Sequence, residues 1–437
     1  MPRVPADRCH RPFVDRPGDR TGAPRARWHF STLLDAPHRL AFFAAMSLLA
    51  AASLWWTAIV VLRAFGATPP FVLAPGVAHA LVMAGSFMPM FFAGFLCTAG
   101  PRWLRLPPVR AASLLPLVCA WVPGWALFAA GAQLDLRMAA SGLALVAVAW
   151  SLFVVRLAAM IAASRADDRL HLRVIALACG FGAAAFGYGA WSLAAGEPAR
   201  LLFVESALVG WFLAPVFVGA LHRMVPFLHV ASPAIERRYG NAPLGLMVAA
   251  LALQPVVHAV ASAAPGSGFV RGLHALTFAV DAAMAALVLW LAWRWRSEQN
   301  LGIRLLAMLH AGLVWLGIAF ALRAADAFAL TSGSGVAGLR LAWLHALAMG
   351  FLGSTMLAMV SRVTCGQAGR TLASERIVWW LFLALQAATV SRIAAEALRT
   401  QAPMLVGAAL FWSAAMLVWS LRYMGWYGRA RTDGRGR

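Results

Sequence analysis

Charge is scarce in this chain. Only 12% of its 437 residues are Asp, Glu, Lys or Arg and 62% are hydrophobic, which excludes a soluble protein of this length, since such a chain needs far more polar surface. Lysine is absent, so all 37 basic residues are arginine. Cysteine is sparse too: Cys9, Cys97, Cys119, Cys179 and Cys365 are odd in number and show no CxxC spacing, which argues against a disulfide framework. Cys9, Cys97 and Cys365 fall in or near segments expected to face the cytoplasm, where thiols stay reduced. No short apolar core with a cleavage site follows the first charges, so the N-terminal stretch does not read as a signal peptide.

What is present is a succession of apolar runs, each about twenty residues long and so able to cross a bilayer of roughly 30 Å. They lie near 39–63, 76–98, 111–131, 138–161, 171–195, 201–222, 243–262, 268–293, 302–323, 338–361, 374–396 and 402–423. The expected fold is therefore all-α, a polytopic membrane bundle of about twelve transmembrane helices over residues 35–425. Arginine gives an independent check, because cytoplasmic loops accumulate positive charge. With residue 1 inside, the inner segments hold 29 arginines and the outer ones 8, which places both termini in the cytoplasm. Residues 1–34, with seven arginines and three aspartates among Pro and Gly, read as a disordered basic tail, and residues 426–437 as a second basic tail. The net charge of +21 does not call for nucleic acid, since arginines spread along cytoplasmic rims give no continuous binding face.

The second segment opens with His79-Ala-Leu-Val-Met83 and continues to Met90. On a helix these offsets return to one face, giving a stripe of His79, Met83 and Met90. Near the other end of the chain His345, Met349 and Met356 repeat the same offsets, and Thr98/Thr364 and Gly100/Gly366 match as well. A partial third copy begins at His274, with Phe278 in the methionine position and Asp281 farther along. His-Ala-Leu is a common tripeptide in an Ala- and Leu-rich chain, and methionine is an ordinary filler of apolar helices. Imidazole and thioether are nevertheless the ligands that haem iron and copper(I) accept, so the shared offsets point to a redox metal rather than zinc or calcium.

The histidines sort by depth. His79, His274 and His345 lie near the outer ends of helices running inward, with His258 also outside; His38, His222, His229 and His310 lie toward the inner side. Such layers could hold a haem or metal on each side of a membrane. Pro89 should kink the second helix and free carbonyls that a neighbour, water or ligand must satisfy. Asp281 falls near the bilayer midplane, where an unpaired carboxylate is costly, so it should be paired or neutral. Glu205, near the outer side, is with Asp281 a proton-path candidate. Arg323 and Asp326, three apart, and Arg392 and Glu396, four apart, are spaced to pair. Arg165-Ala-Asp-Asp168-Arg-Leu-His171 reads most simply as a solvated loop.

The chain resembles the NnrS family of bacterial haem- and copper-containing inner-membrane proteins. The resemblance rests on Ala36-Pro37-His38-Arg39, on the stretch from His79 to Trp103 with its Gly94-Phe-Leu-Cys-Thr-Ala-Gly-Pro-Arg-Trp103 ending, on Arg223-Met-Val-Pro-Phe227, and on Leu344-His-Ala-Leu-Ala-Met-Gly350 leading to Met359-Val-Ser-Arg-Val363 and Gly366 to Arg370. It implies a role in the response to nitric oxide or nitrosative stress, alongside denitrification, with haem bound in the membrane. Many members have a histidine where this chain has Leu81 and another where it has Gln367, which weakens the case for copper more than that for haem.

Residues and resemblance together nominate His79, His345, Met83, Met349, His274, His38 and His222 as cofactor contacts, with His229 as a further metal ligand. The bilayer and nitric oxide, or a related small molecule, are the expected partners. Two other classes stay open. A twelve-helix secondary transporter is suggested by Pro89, Pro123, Pro215, Pro255 and Asp281, and should show halves related as six plus six; an assembly or scaffold protein for a respiratory enzyme contradicts no feature. The chain has no His-x-x-x-His pair of the kind used by haem-copper reductases, so the sequence assigns no catalytic residue.

Overall fold

The computed structural model describes residues 27–228, 242–296, 301–332, 339–370, 376–398 and 401–432. Twelve helices in it are long and apolar enough to cross a membrane: α1 (Pro37–Ala64), α2 (Pro75–Trp103), α3 (Ala111–Leu134), α4 (Leu136–Ala163), α5 (Leu170–Ala194), α6 (Pro198–Arg223), α7 (Ala242–Ala263), α8 (Gly268–Arg296), α9 (Arg304–Ser332), α10 (Arg340–Gln367), α11 (Arg376–Glu396) and α12 (Ala402–Tyr427). Each coincides with one apolar run of the sequence, and the described residues contain no strand. The chain is an all-α, multi-pass membrane protein.

Burial divides these helices into a centre and a surround. The most apolar stretches of α2, α6 and α10 are 78%, 83% and 78% buried, against 33–44% for the other nine. A helix apolar on all sides belongs either in lipid or in a protein core, and small residues decide which by letting backbones approach. A Cβ at Gly94 of α2 would lie 2.7 Å from the Phe42 ring of α1, and one at Gly350 of α10 would lie 2.6 Å from the Trp315 indole of α9. Core helices recur at every fourth position, which does not match the six-plus-six relation expected of a transporter built from two halves.

All three core helices depart from regular α geometry. α2 stops at Gly85 and restarts at Met88, because Pro89 lacks an N–H and its ring blocks the carbonyl four residues back, that of Gly85. The Ser86 carbonyl in this break accepts a hydrogen bond from the Trp121 indole of α3 at 2.6 Å, so the kink expected from Pro89 is satisfied by a neighbouring helix. α6 passes through a π turn at Leu208–Leu213 and α10 through another at Ala346–Gly353. Such turns are rare and cluster at functional sites.

Both ends of the described chain meet at one end of the bundle, called here the terminal end. The His29 N–H reaches the Gly428 carbonyl at 2.8 Å, and the Trp28 indole donates to Met424 O at 3.1 Å. Buried Arg39 donates to Tyr427 O and Arg429 O at 3.0 and 2.8 Å. Residues 27–34 were expected to belong to the disordered tail; instead a 3-10 turn, Phe30–Asp35, docks there, because Trp28 packs on Phe43 with ring centres 5.9 Å apart. At the other terminus α12 continues to Tyr427, past the expected boundary at 425, since the Tyr427 hydroxyl is buried against Thr364 at 2.8 Å.

Asp281 of α8 and Arg323 of α9 form a buried ion pair, with Arg323 Nε and Nη2 on the two carboxylate oxygens at 2.6 and 2.5 Å. Arg323 Nη2 also donates to Ala250 O of α7 at 2.7 Å. This bears out the expectation that Asp281 is paired and corrects the pairing of Arg323 with Asp326, which instead accepts a hydrogen bond from Trp343. Successive turns of one helix lie in reach of each other, but a fork-to-fork pair across two helices satisfies more donors of the guanidinium. Arg392 and Glu396 pair at 3.3 Å as their spacing suggests.

Candidate cofactor-binding site

Even-numbered helices begin at the end of the bundle opposite the terminal end. There the first turns of α2, α6 and α10, with α1, α11 and α12, enclose a cavity of about 650 Å³, within the range of roughly 300–1,000 Å³ usual for cofactor and small-molecule sites. His79, Met83, His345 and Met349 all line it. The two His–Met stripes, more than 260 positions apart in sequence, therefore converge on one space. Met90 and Met356 do not: the break in α2 and the π turn of α10 interrupt the stripes, leaving Met90 in the core and Met356 beside a separate, lower cavity.

The imidazoles of His79 and His345 have ring centres 6.5 Å apart and planes inclined by 14°. His345 Nδ1 lies 2.7 Å from Leu341 O; a carbonyl only accepts, so Nδ1 carries the proton and Nε2 keeps its lone pair. Such a partner fixes the tautomer and orientation of the ring. His79 stacks on Trp56 of α1, ring centres 3.9 Å apart and planes at 19°, and its buried Nδ1 has no hydrogen-bond partner. A buried imidazole nitrogen without a partner is costly unless a ligand completes it.

Charge collects on the same wall. Arg63, Arg340 and Arg392 line the cavity with Glu205, and Glu205, 5% exposed, pairs with Arg340 at 3.1 Å. The Phe87, Trp56 and Trp412 side chains supply broad apolar faces. The site is thus a deep apolar slot with two imidazoles, two thioethers and an excess of guanidinium.

The other nominated histidines are elsewhere. His38, 2% exposed, sits in the first turn of α1 at the terminal end. His222 of α6 is held by His171, Nδ1 to Nε2, at 2.9 Å with stacked rings. Residues 165–169 form a mostly exposed loop, as expected, but His171 is buried in the first turn of α5; Asp168 pairs with Arg223 and lies 3.9 Å from His171, tying the loop to α6. His274 is half-buried on α8 and takes no part in the cavity wall. His229 lies outside the described residues. No three of His, Cys, Asp and Glu gather as metal ligands among the described residues.

Compared with known proteins, the chain matches the family described as NnrS protein over residues 32–431. It belongs to the NnrS family. Membership of the NnrS family supports a role in the nitric oxide response in general. The match takes in all twelve helices and both stretches that carry the cavity histidines. No curated protein matches the chain, and no solved structure does. Within this NnrS-family fold, sequence reasoning missed Trp56, Arg63, Arg340 and Trp412 as wall residues; they come from α1, α10 and α12 at offsets that no periodicity links.

Proposed function

We propose that the cavity binds a haem between His79 and His345, and that the protein acts through it in the nitric oxide response of a bacterial inner membrane, with both termini cytoplasmic. The observation that carries this reading is the convergence of the two imidazoles, with ring centres 6.5 Å apart, on one large apolar cavity that Met83, Met349 and three arginines also line, because imidazole and thioether are ligands that haem iron accepts. A porphyrin brings its own four nitrogens, so it needs only this pair and not a cluster of three side chains. Its apolar plane suits the Trp56, Phe87 and Trp412 walls, and its carboxylates suit Arg63, Arg340 and Arg392.

When bound, such a haem supplies an iron with one-electron chemistry and an affinity for nitric oxide. The chain's own residues orient and shield it. His345 is anchored by its bond to Leu341 O, His79 is held by stacking on Trp56, and Glu205 fixes Arg340 at the rim. Copper(I), the other metal the resemblance implies, would have to use the same set of His79, His345, Met83 and Met349, in place of haem rather than beside it.

An absorption spectrum of the purified protein tests this directly. A haem Soret band should survive detergent washing, and iron rather than copper should be found in stoichiometric amount. His79→Ala and His345→Ala should each lower haem content or shift the band, since an iron–nitrogen bond has no substitute in alanine. Met83→Leu and Met349→Leu conserve volume and should change the spectrum only if sulfur coordinates. A protein without haem or copper would leave the transporter reading, which the broken core helices also suit.

A further inference from the structure

The two histidines that line the wide cavity are not held alike. An imidazole that gives Nε2 to a metal keeps its one proton on Nδ1, and that N–H then needs an acceptor. In His345 the acceptor is in place, since Nδ1 lies 2.7 Å from Leu341 O. In His79 it is not: Nδ1 is buried and has no hydrogen-bond partner. Ligation through Nε2 therefore leaves a buried donor idle at His79 and none at His345, a difference of about tenfold in an equilibrium between bound and released imidazole. Once off the metal the ring is free to turn or to carry its proton on Nε2 instead, so the cost falls mainly on the ligated form.

The backbone under the two rings differs in the same direction. His79 stands on Pro75–Gly85, a half-helix that the break before Met88 separates from the rest of α2, and a Cβ on its Gly76 would meet nothing within 4 Å. His345 stands immediately before the π turn Ala346–Gly353, where Ala346, Leu347, Gly350 and Phe351 are buried, and a Cβ on Gly350 would lie 2.6 Å from Trp315. One ring is seated on packed backbone and the other is not. What holds the His79 ring is its stack on Trp56, with ring centres 3.9 Å apart and planes at 19°. Stacking keeps a ring flat but is less directional than a hydrogen bond, so it resists sliding little.

We propose that His345 is the fixed axial ligand of the haem and His79 the displaceable one, so that a small ligand of the iron enters on the α2 side of the cavity. This rests on the haem reading above and gives unequal roles to the two imidazoles it uses. The exchange breaks the coordinate bond from His79 Nε2 and forms one from the incoming molecule. Each lone pair stays with its own donor, no electron changes hands, and the released imidazole remains against Trp56.

Carbon monoxide, added to the purified full chain after reduction with dithionite, is the probe, with haem content measured before and after detergent washing. His345→Ala should lose haem about tenfold more readily than His79→Ala, which should keep it with a Soret band moved to that of five-coordinate iron. His79→Phe retains a ring to stack on Trp56 and should behave as His79→Ala does, which controls for a loss of folding. With carbon monoxide bound, the wild type and His79→Ala should show the same carbonyl stretching band in the infrared, because His345 stands opposite the gas in both. The variant should bind the gas at least about tenfold faster, since no imidazole has to leave. Haem lost first from His79→Ala and His79→Phe, equal retention in the variants of both histidines, a carbonyl band that moves in His79→Ala, or a reduced wild type that takes up no carbon monoxide overturns the assignment and leaves the haem reading standing. A wild type that carries no haem overturns both.

Discussion

At the scale of single residues the strongest electrostatic feature is the Asp281–Arg323 pair, 0% and 5% exposed. Removing one partner leaves a buried charge unmatched and typically costs about 3–5 kcal/mol, whereas replacing both by apolar groups of similar volume is often neutral. Asp281→Asn and Arg323→Met should therefore each reduce the amount of folded protein recovered from membranes, and Asp281→Leu combined with Arg323→Met should recover most of it. Thermal melting of the purified variants would check this; additive losses in the double variant would mean that the two groups do not act as a pair. Glu205 lends itself to the same approach. Because its carboxylate holds Arg340 at the cavity rim, Glu205→Gln should weaken haem retention on dilution while leaving the position of the Soret band unchanged, since neither residue is placed as an iron ligand.

At the scale of elements the three broken core helices matter most. The break in α2 depends on Trp121 satisfying the Ser86 carbonyl. Trp121→Phe keeps an aromatic body and loses the N–H, so a buried carbonyl is left unsatisfied at a cost of about 1–3 kcal/mol. The melting temperature should fall, and the haem spectrum should shift with it because His79 stands two turns away on the same half-helix. Gly85 adds a second test. A Cβ there would lie 2.5 Å from the Trp125 indole, too close for any real contact, so Gly85→Val should fold poorly while the exposed Gly76→Val, with nothing within 4 Å of its added Cβ, should not. Equal yields for the two would show that the α2–α3 contact is looser than described.

At the scale of the whole molecule, the twelve helices and the shared position of both termini set an alternation that charge then orients. Fusions of a reporter after Arg110 or Arg165 should read cytoplasmic, and a fusion after Gln133 should read periplasmic. The inverse pattern would place the wide cavity on the cytoplasmic side and change which compartment its ligand comes from. Core helices at every fourth position give the molecule a centre to which α2, α6 and α10 each contribute one irregular turn.

The class of fold, the twelve membrane segments and the His–Met stripes are legible in the residues alone, because chain length against bilayer thickness and side-chain periodicity along a helix are local properties. The same locality explains the sequence's misassignments. Spacing pairs Arg323 with Asp326, three residues away, because the sequence cannot show that α8 and α9 bring Asp281 closer. His171 looked solvated because its partner, His222, is fifty-one positions distant. That His79 and His345 face each other across one cavity, that His38, His222 and His274 do not, and that Trp56, Arg63 and Arg340 complete the wall were decided only by tertiary structure. Helix packing is set by which small residues let backbones approach and where each core helix breaks, and these depend on neighbours that lie far away in the chain.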